Sequence, residues 1–104
     1  MEKGFYYRVY ELVAKIPFGK VTTYGSIAKA IGLRSSARLV GNACRAAAGT
    51  NSLPFHRVVN RSGELTGKYS FPDANYMRQA LEAEGVKFIG EHVDMDNFFW
   101  DAEI

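Results

Sequence analysis

Chemistry in this chain is concentrated in Pro54-Phe55-His56-Arg57-Val58. The residue at its centre is not a nucleophile, because covalent transfer to protein needs a thiolate or an equally activated group. A phenyl ring has no such chemistry and, taken by itself, reads as an ordinary piece of core. The only thiol, Cys44, lies eleven residues earlier in a stretch of small apolar residues and is expected to be core filler. His56, His92 and Cys44 lack metal-ligand spacing, so neither a metal nor a cofactor is expected. Two further residues stand out by type: Arg38, a long planar donor among small neighbours, and Tyr24, an aromatic after Thr22-Thr23.

These side chains need elements to hold them. Phe5, Val9, Leu12, Val13 and Ile16 recur at helical spacing, which predicts a helix over 4–15, broken by Pro17 and Gly19. A second helix is expected over 24–31, capped by Thr22 or Thr23 and ended by Gly32. A third, over 36–48, starts from Ser35 or Ser36 and carries Ala37, Gly41, Ala43, Ala46, Ala47 and Ala48. Two short helices around a tight turn form a helix-turn-helix pattern. Arg57-Val58-Val59 and Glu64-Leu65-Thr66 flank the turn Arg61-Ser62-Gly63, where a hairpin would serve as a wing. A fourth helix over 73–84 would face Tyr76, Met77, Ala80 and Leu81 inward, with Gly85 ending it. Val86–Phe88 and Phe98–Trp100 should pack on the core. The expected fold is therefore mainly α with a small β wing, a winged helix-turn-helix domain spanning 1–104.

The 104 residues carry a net charge of +2, unevenly spread. Residues 1–68 hold 11 Lys/Arg against 3 Asp/Glu, whereas 69–104 hold 2 against 8. A basic front and an acidic back suit a polyanion on one side. No apolar run reaches the roughly 18 residues of a membrane span. One cysteine and no secretory leader point to a reducing cytoplasm, or the nucleoid if the source is bacterial.

Taken together, the motifs resemble one family. Ile16-Pro17-Phe18-Gly19-Lys20-Val21-Thr22-Thr23-Tyr24-Gly25, Ser36-Ala37-Arg38-Leu39-Val40-Gly41, Pro54–Val58 and Leu81-Glu82-Ala83-Glu84-Gly85 occur in the order found in the DNA-binding, active-site domain of the alkylguanine-DNA alkyltransferases. That family's signature is Pro-Cys-His-Arg-Val, and here Phe55 replaces the acceptor cysteine. The chain is thus similar to the alkyltransferase-like proteins, which bind alkylated guanine without repairing it.

The resemblance implies roles residue by residue. Tyr24 would press on the phosphate 3′ to the lesion, and Arg38 would fill the gap left by the flipped base. Ser36, Ala37 and Gly41 would let the third helix enter the minor groove, although Leu39 and Asn42 are bulkier than the family's usual residues. Phe55, Pro54, Val58, Lys68, Tyr69 and Ser70 would line the lesion pocket. His56 and Glu84 would survive as a hydrogen-bond network with nothing to activate, and Arg57 would be structural. The family's hinge asparagine aligns with Ala47, with Asn51 as a substitute. The implied partner is duplex DNA containing O6-alkylguanine, bound by a monomer that flags the lesion for nucleotide excision repair proteins. Two other readings compete: a winged-helix regulator, which would need long base-reading side chains where the third helix has Ala and Gly, and an enzyme acting on alkylated bases without a cysteine.

Overall fold

The computed structural model describes residues 2–32, 37–47 and 53–103. Helix α1 (Glu2–Ala14) stops where the chain meets Pro17, whose ring disfavours helical backbone at Ile16. Two residues of extended chain, β1 (Thr22–Thr23), lead directly into α2 (Tyr24–Ile31). Thr23 caps α2, its hydroxyl accepting from the Ser26 N–H at 3.0 Å. Gly32 ends α2 at φ 85°, a left-handed conformation that glycine adopts without strain. Helix α3 (Ala37–Ala47) follows, and its expected cap at Ser35 or Ser36 lies outside the described residues.

A 3₁₀ turn (Phe55–Arg57) leads into β2 (Val58–Val59), which pairs in parallel with β1 through Thr22–Val58 and Thr23–Val59. Successive side chains of a strand face opposite ways. Val58 accordingly enters a core formed by α1, α2 and α3, while Val59 enters a second cluster with Val21, Leu81, Val86 and Val93. The expected wing is not built from 57–66. Asn60 instead folds its own loop: its Oδ1 accepts from the Ser62 and Glu64 N–H groups at 3.0 and 2.8 Å, and its N–H donates to Glu64 O. That local closure uses the groups a returning strand would need. The antiparallel hairpin lies later, between β3 (Phe88–Ile89) and β4 (His92–Val93).

A second 3₁₀ turn (Lys68–Ser70) precedes α4 (Tyr76–Ala83). This helix starts three residues later than expected, because Asp73 holds a turn by accepting from the Asn75 and Tyr76 N–H groups. Met77 and Leu81 are its buried residues, whereas Tyr76 is partly exposed, contrary to the expected inward face. After the short α5 (Met95–Phe98), the chain runs beside Val21, which donates to Phe98 O and accepts from the Trp100 N–H. Phe98 and Trp100 pack on the cores as expected, and Phe99 turns outward. No helix among the described residues is long and apolar enough to cross a membrane.

Candidate nucleic-acid interface

A cavity of about 250 Å³ opens between α3, the start of α2, the 3₁₀ turn at Phe55 and the loop at 66–71. Helix α3 contributes a stripe at helical spacing: Ala37, Arg38, Gly41, Cys44 and Arg45. From α2 comes Tyr24, its first residue. Phe55 forms part of the wall together with Val58, and Thr66, Gly67, Ser70 and Phe71 complete it.

Phe55 serves both as core and as wall. It is 5% exposed, meets Tyr10 edge-on at 5.9 Å between ring centroids, and still borders the cavity. Tyr24 spans from α2 to the 66–67 loop, where the Thr66 hydroxyl donates to its phenol oxygen at 3.4 Å. A Cβ on Gly67 would lie 3.3 Å from that oxygen, so glycine permits the close approach. Burial raises the Tyr24 phenol above its ordinary value, against the Thr66 hydrogen bond and the charge of Arg45. Cys44 borders the cavity as a neutral thiol. Burial pushes it up to about 12, against the opposing pull of Arg45, so it is not a thiolate near neutrality.

Behind Phe55, His56 Nε2 donates to Glu84 Oε2 at 2.7 Å. Arg57 donates to both Glu84 oxygens at 2.9–3.1 Å and, through Nη1, to Ile16 O at 2.8 Å. The Gly19 N–H completes the set, donating to Glu84 Oε1 at 2.8 Å. Burial alone would raise the Glu84 carboxyl, but these donors outweigh it and hold the group down at about 2. The network ties the 17–19 turn to the Phe55 turn and to the end of α4. It does not line the cavity.

Of the residues singled out from the sequence, Tyr24, Ala37, Arg38, Gly41, Phe55, Val58 and Ser70 meet at this cavity. Pro54, Lys68 and Tyr69 do not. Pro54 precedes the 3₁₀ turn, and Lys68 lies over the ring of Tyr69, which is exposed. Ser36 and Asn51 lie outside the described residues. Arg45, Thr66, Gly67 and Phe71 are wall residues that the motifs did not single out, although Arg45 sits one helical turn after Gly41. A wider groove adjoins the cavity across Tyr24 and Ala37. Its lining includes Ser26, Lys29 and Arg61 together with Asp96, Asp101 and Glu103. No cluster of metal-ligand type occurs among the described residues.

An arginine-bearing helix of small residues, set beside an aromatic-walled cavity in a helix-turn-helix frame, defines a helical DNA-binding domain. Residues 4–86 match the family described as 6-O-methylguanine DNA methyltransferase, DNA binding domain, and the chain belongs to that family. It is 45% identical over 103 residues to the DNA base-flipping protein of Escherichia coli, covering 96% of this chain and 77% of that protein. It is 36% identical to Alkyltransferase-like protein 1 of Schizosaccharomyces pombe, covering 92% of this chain and 94% of the relative. A crystal structure of S. pombe Atl1 in complex with damaged DNA containing O6-carboxymethylguanine superposes with a TM-score of 0.80 at 34% identity, over 94% of this chain and 95% of that one. The mainly helical fold and the alkyltransferase-like resemblance read from the motifs are both borne out.

Proposed function

We propose that this protein binds O6-alkylguanine in duplex DNA through the minor groove, rotates the damaged nucleotide into the cavity, and leaves the lesion unrepaired. The observation that carries this reading is the wall at Phe55. It sits in the Pro54–Val58 motif, with the His56–Glu84–Arg57 network intact behind it and an aromatic ring where the family's acceptor thiol belongs. Cys44 is no substitute nucleophile, since burial keeps its thiol protonated.

Each step has a physical basis. Flipping costs a few kcal/mol of lost pairing and stacking. Arg38, exposed on α3, fills the vacancy with a planar guanidinium that can stack and donate. Tyr24, held between α2 and the 66–67 loop, presses on the phosphate beside the lesion. Phe55 stacks on the extruded base, a contact worth about 1–3 kcal/mol. The persistent complex would then mark the site for nucleotide excision repair proteins.

The test compares duplexes that differ only at one guanine, unmodified or O6-methylated, at fixed salt. Tighter binding to the methylated duplex is expected, with the protein mass unchanged after incubation. Equal affinity for the two duplexes sinks the lesion reading; a methyl adduct on Cys44 or any other residue sinks the non-catalytic one.

A further inference from the structure

Two arginines border the cavity, and lesion binding as proposed uses only one of them. Arg38 moves into the vacated stack. Arg45, one turn beyond Gly41, remains in the wall. Its Nη1 lies 3.8 Å from the position a Cβ on Gly41 would occupy, and two carbons of the Tyr24 ring lie 3.9 Å from the same point. Guanidinium and phenol thus flank the same glycine, and a side chain there would touch both.

Arg45 donates to the side-chain oxygen of Asn42, a neutral partner. Among the described residues no carboxylate pairs with it, and none lines the cavity. The rest of the wall, Arg38 apart, is aromatic, aliphatic, thiol or hydroxyl. Burial raises both the Tyr24 phenol and the Cys44 thiol, so neither supplies a negative charge to the wall. Once Arg38 has left, the cavity keeps one positive charge and no negative one.

We propose that Arg45 makes the cavity select O6-substituents carrying a negative charge, such as carboxymethyl, over neutral substituents of the same size. This rests on the cavity being the flipped-base site. A carboxylate on the substituent accepts a charge-assisted hydrogen bond from Arg45 where a carbonyl amide accepts only a weaker one. Arg45 is exposed, so water and salt screen the pair. The expected preference is accordingly modest, about threefold to tenfold.

Four duplexes decide the matter, identical except for one base: guanine, O6-methylguanine, O6-carboxymethylguanine and its neutral isostere O6-carbamoylmethylguanine. Fluorescence anisotropy should show the carboxymethyl duplex bound about threefold to tenfold more tightly than the carbamoylmethyl duplex, with the ratio shrinking as salt rises. Arg45→Gln should bring the ratio close to one, and Arg45→Lys should restore part of it. Equal affinity of the wild type for the two isosteres overturns the proposal, as does a ratio that Arg45→Gln leaves intact. If O6-methylguanine is bound more tightly than guanine but the isosteres are not distinguished, only the role of Arg45 fails. If O6-methylguanine and guanine are bound alike, the lesion reading fails and takes this one with it.

Discussion

At Phe55 one side chain joins core and site, and a well-chosen substitution separates the two. Phe55→Ala would remove both and cost about 3–5 kcal/mol of stability. Phe55→Leu keeps apolar volume against Tyr10 but loses the flat face. It is expected to cost less than about 1.5 kcal/mol in urea unfolding while removing most of a stacking contact worth about 1–3 kcal/mol in lesion binding. Unchanged affinity for O6-methylguanine would make Phe55 core alone. On the proposed mechanism, Arg38 and Tyr24 act at the flipping step. Arg38→Ala and Tyr24→Ala should each weaken binding to the alkylated duplex more than to the plain one, which rests mainly on phosphate contacts. A fluorescent base analogue beside the lesion reads flipping directly. Equal losses on both duplexes with the fluorescence change intact would make Arg38 a phosphate contact. These residues are legible in the sequence because motif and spacing single them out. Arg45, Thr66 and Phe71 are not, since they are joined to the cavity only by how α3 and the 66–71 loop come together. Lys68 and Tyr69 show the converse: motif neighbours of Ser70 that the 3₁₀ turn carries away from the wall.

At the scale of elements, the first three helices were readable to within two residues, because apolar periodicity, the Thr23 cap and Gly32 all mark them. The wing was not, because Asn60 satisfies the loop's backbone with its own amide, and short apolar runs do not reveal which strand they pair with. What joins the elements round the site is Glu84. Its carboxyl is only 8% exposed and binds three partners from two other segments. Its folded value, about 2, lies below the ordinary 4.5, so it favours the folded state above pH 4.5, and that contribution is lost as pH falls toward 2. A shift of this size corresponds to about 2–4 kcal/mol. Glu84→Gln should therefore be destabilised by about that much at pH 7. In urea unfolding from pH 7 to pH 3, the gap between wild type and variant should hold steady down to about pH 4.5 and then narrow. A gap independent of pH would mean that the network contributes packing and not charge.

Over the whole molecule, the sequence suggests a basic front and an acidic back, and folding does not keep them apart. The C-terminal segment returns beside β1 and α2, where Ser26 Oγ accepts from the Ala102 N–H and donates to Asp101. Asp96, Asp101 and Glu103 thus border the same groove as Lys29 and Arg61. If DNA lies along this groove, as proposed, the acidic residues would limit how far its backbone spreads across this face. Lys29 and Arg61 lie in the groove, Arg38 and Arg45 in the cavity wall, and Lys68 on the turn that ends at Ser70. Each phosphate neutralised releases condensed counterions, so the logarithm of affinity falls with the logarithm of salt by about 0.9 per contact. If about five phosphates are neutralised, the expected slope is about −4 to −5 on plain duplex. Lys29→Ala should make that slope shallower by about one and weaken plain and alkylated duplexes alike. Asp96→Asn should act in the opposite sense, strengthening binding at low salt and losing the gain at high salt, as expected of a repulsion screened beyond about 10 Å at 0.1 M. Titrations of all three proteins across a salt series measure these effects together. A wild-type slope near zero, or an Asp96→Asn gain that survives high salt, would show that DNA does not lie along this groove.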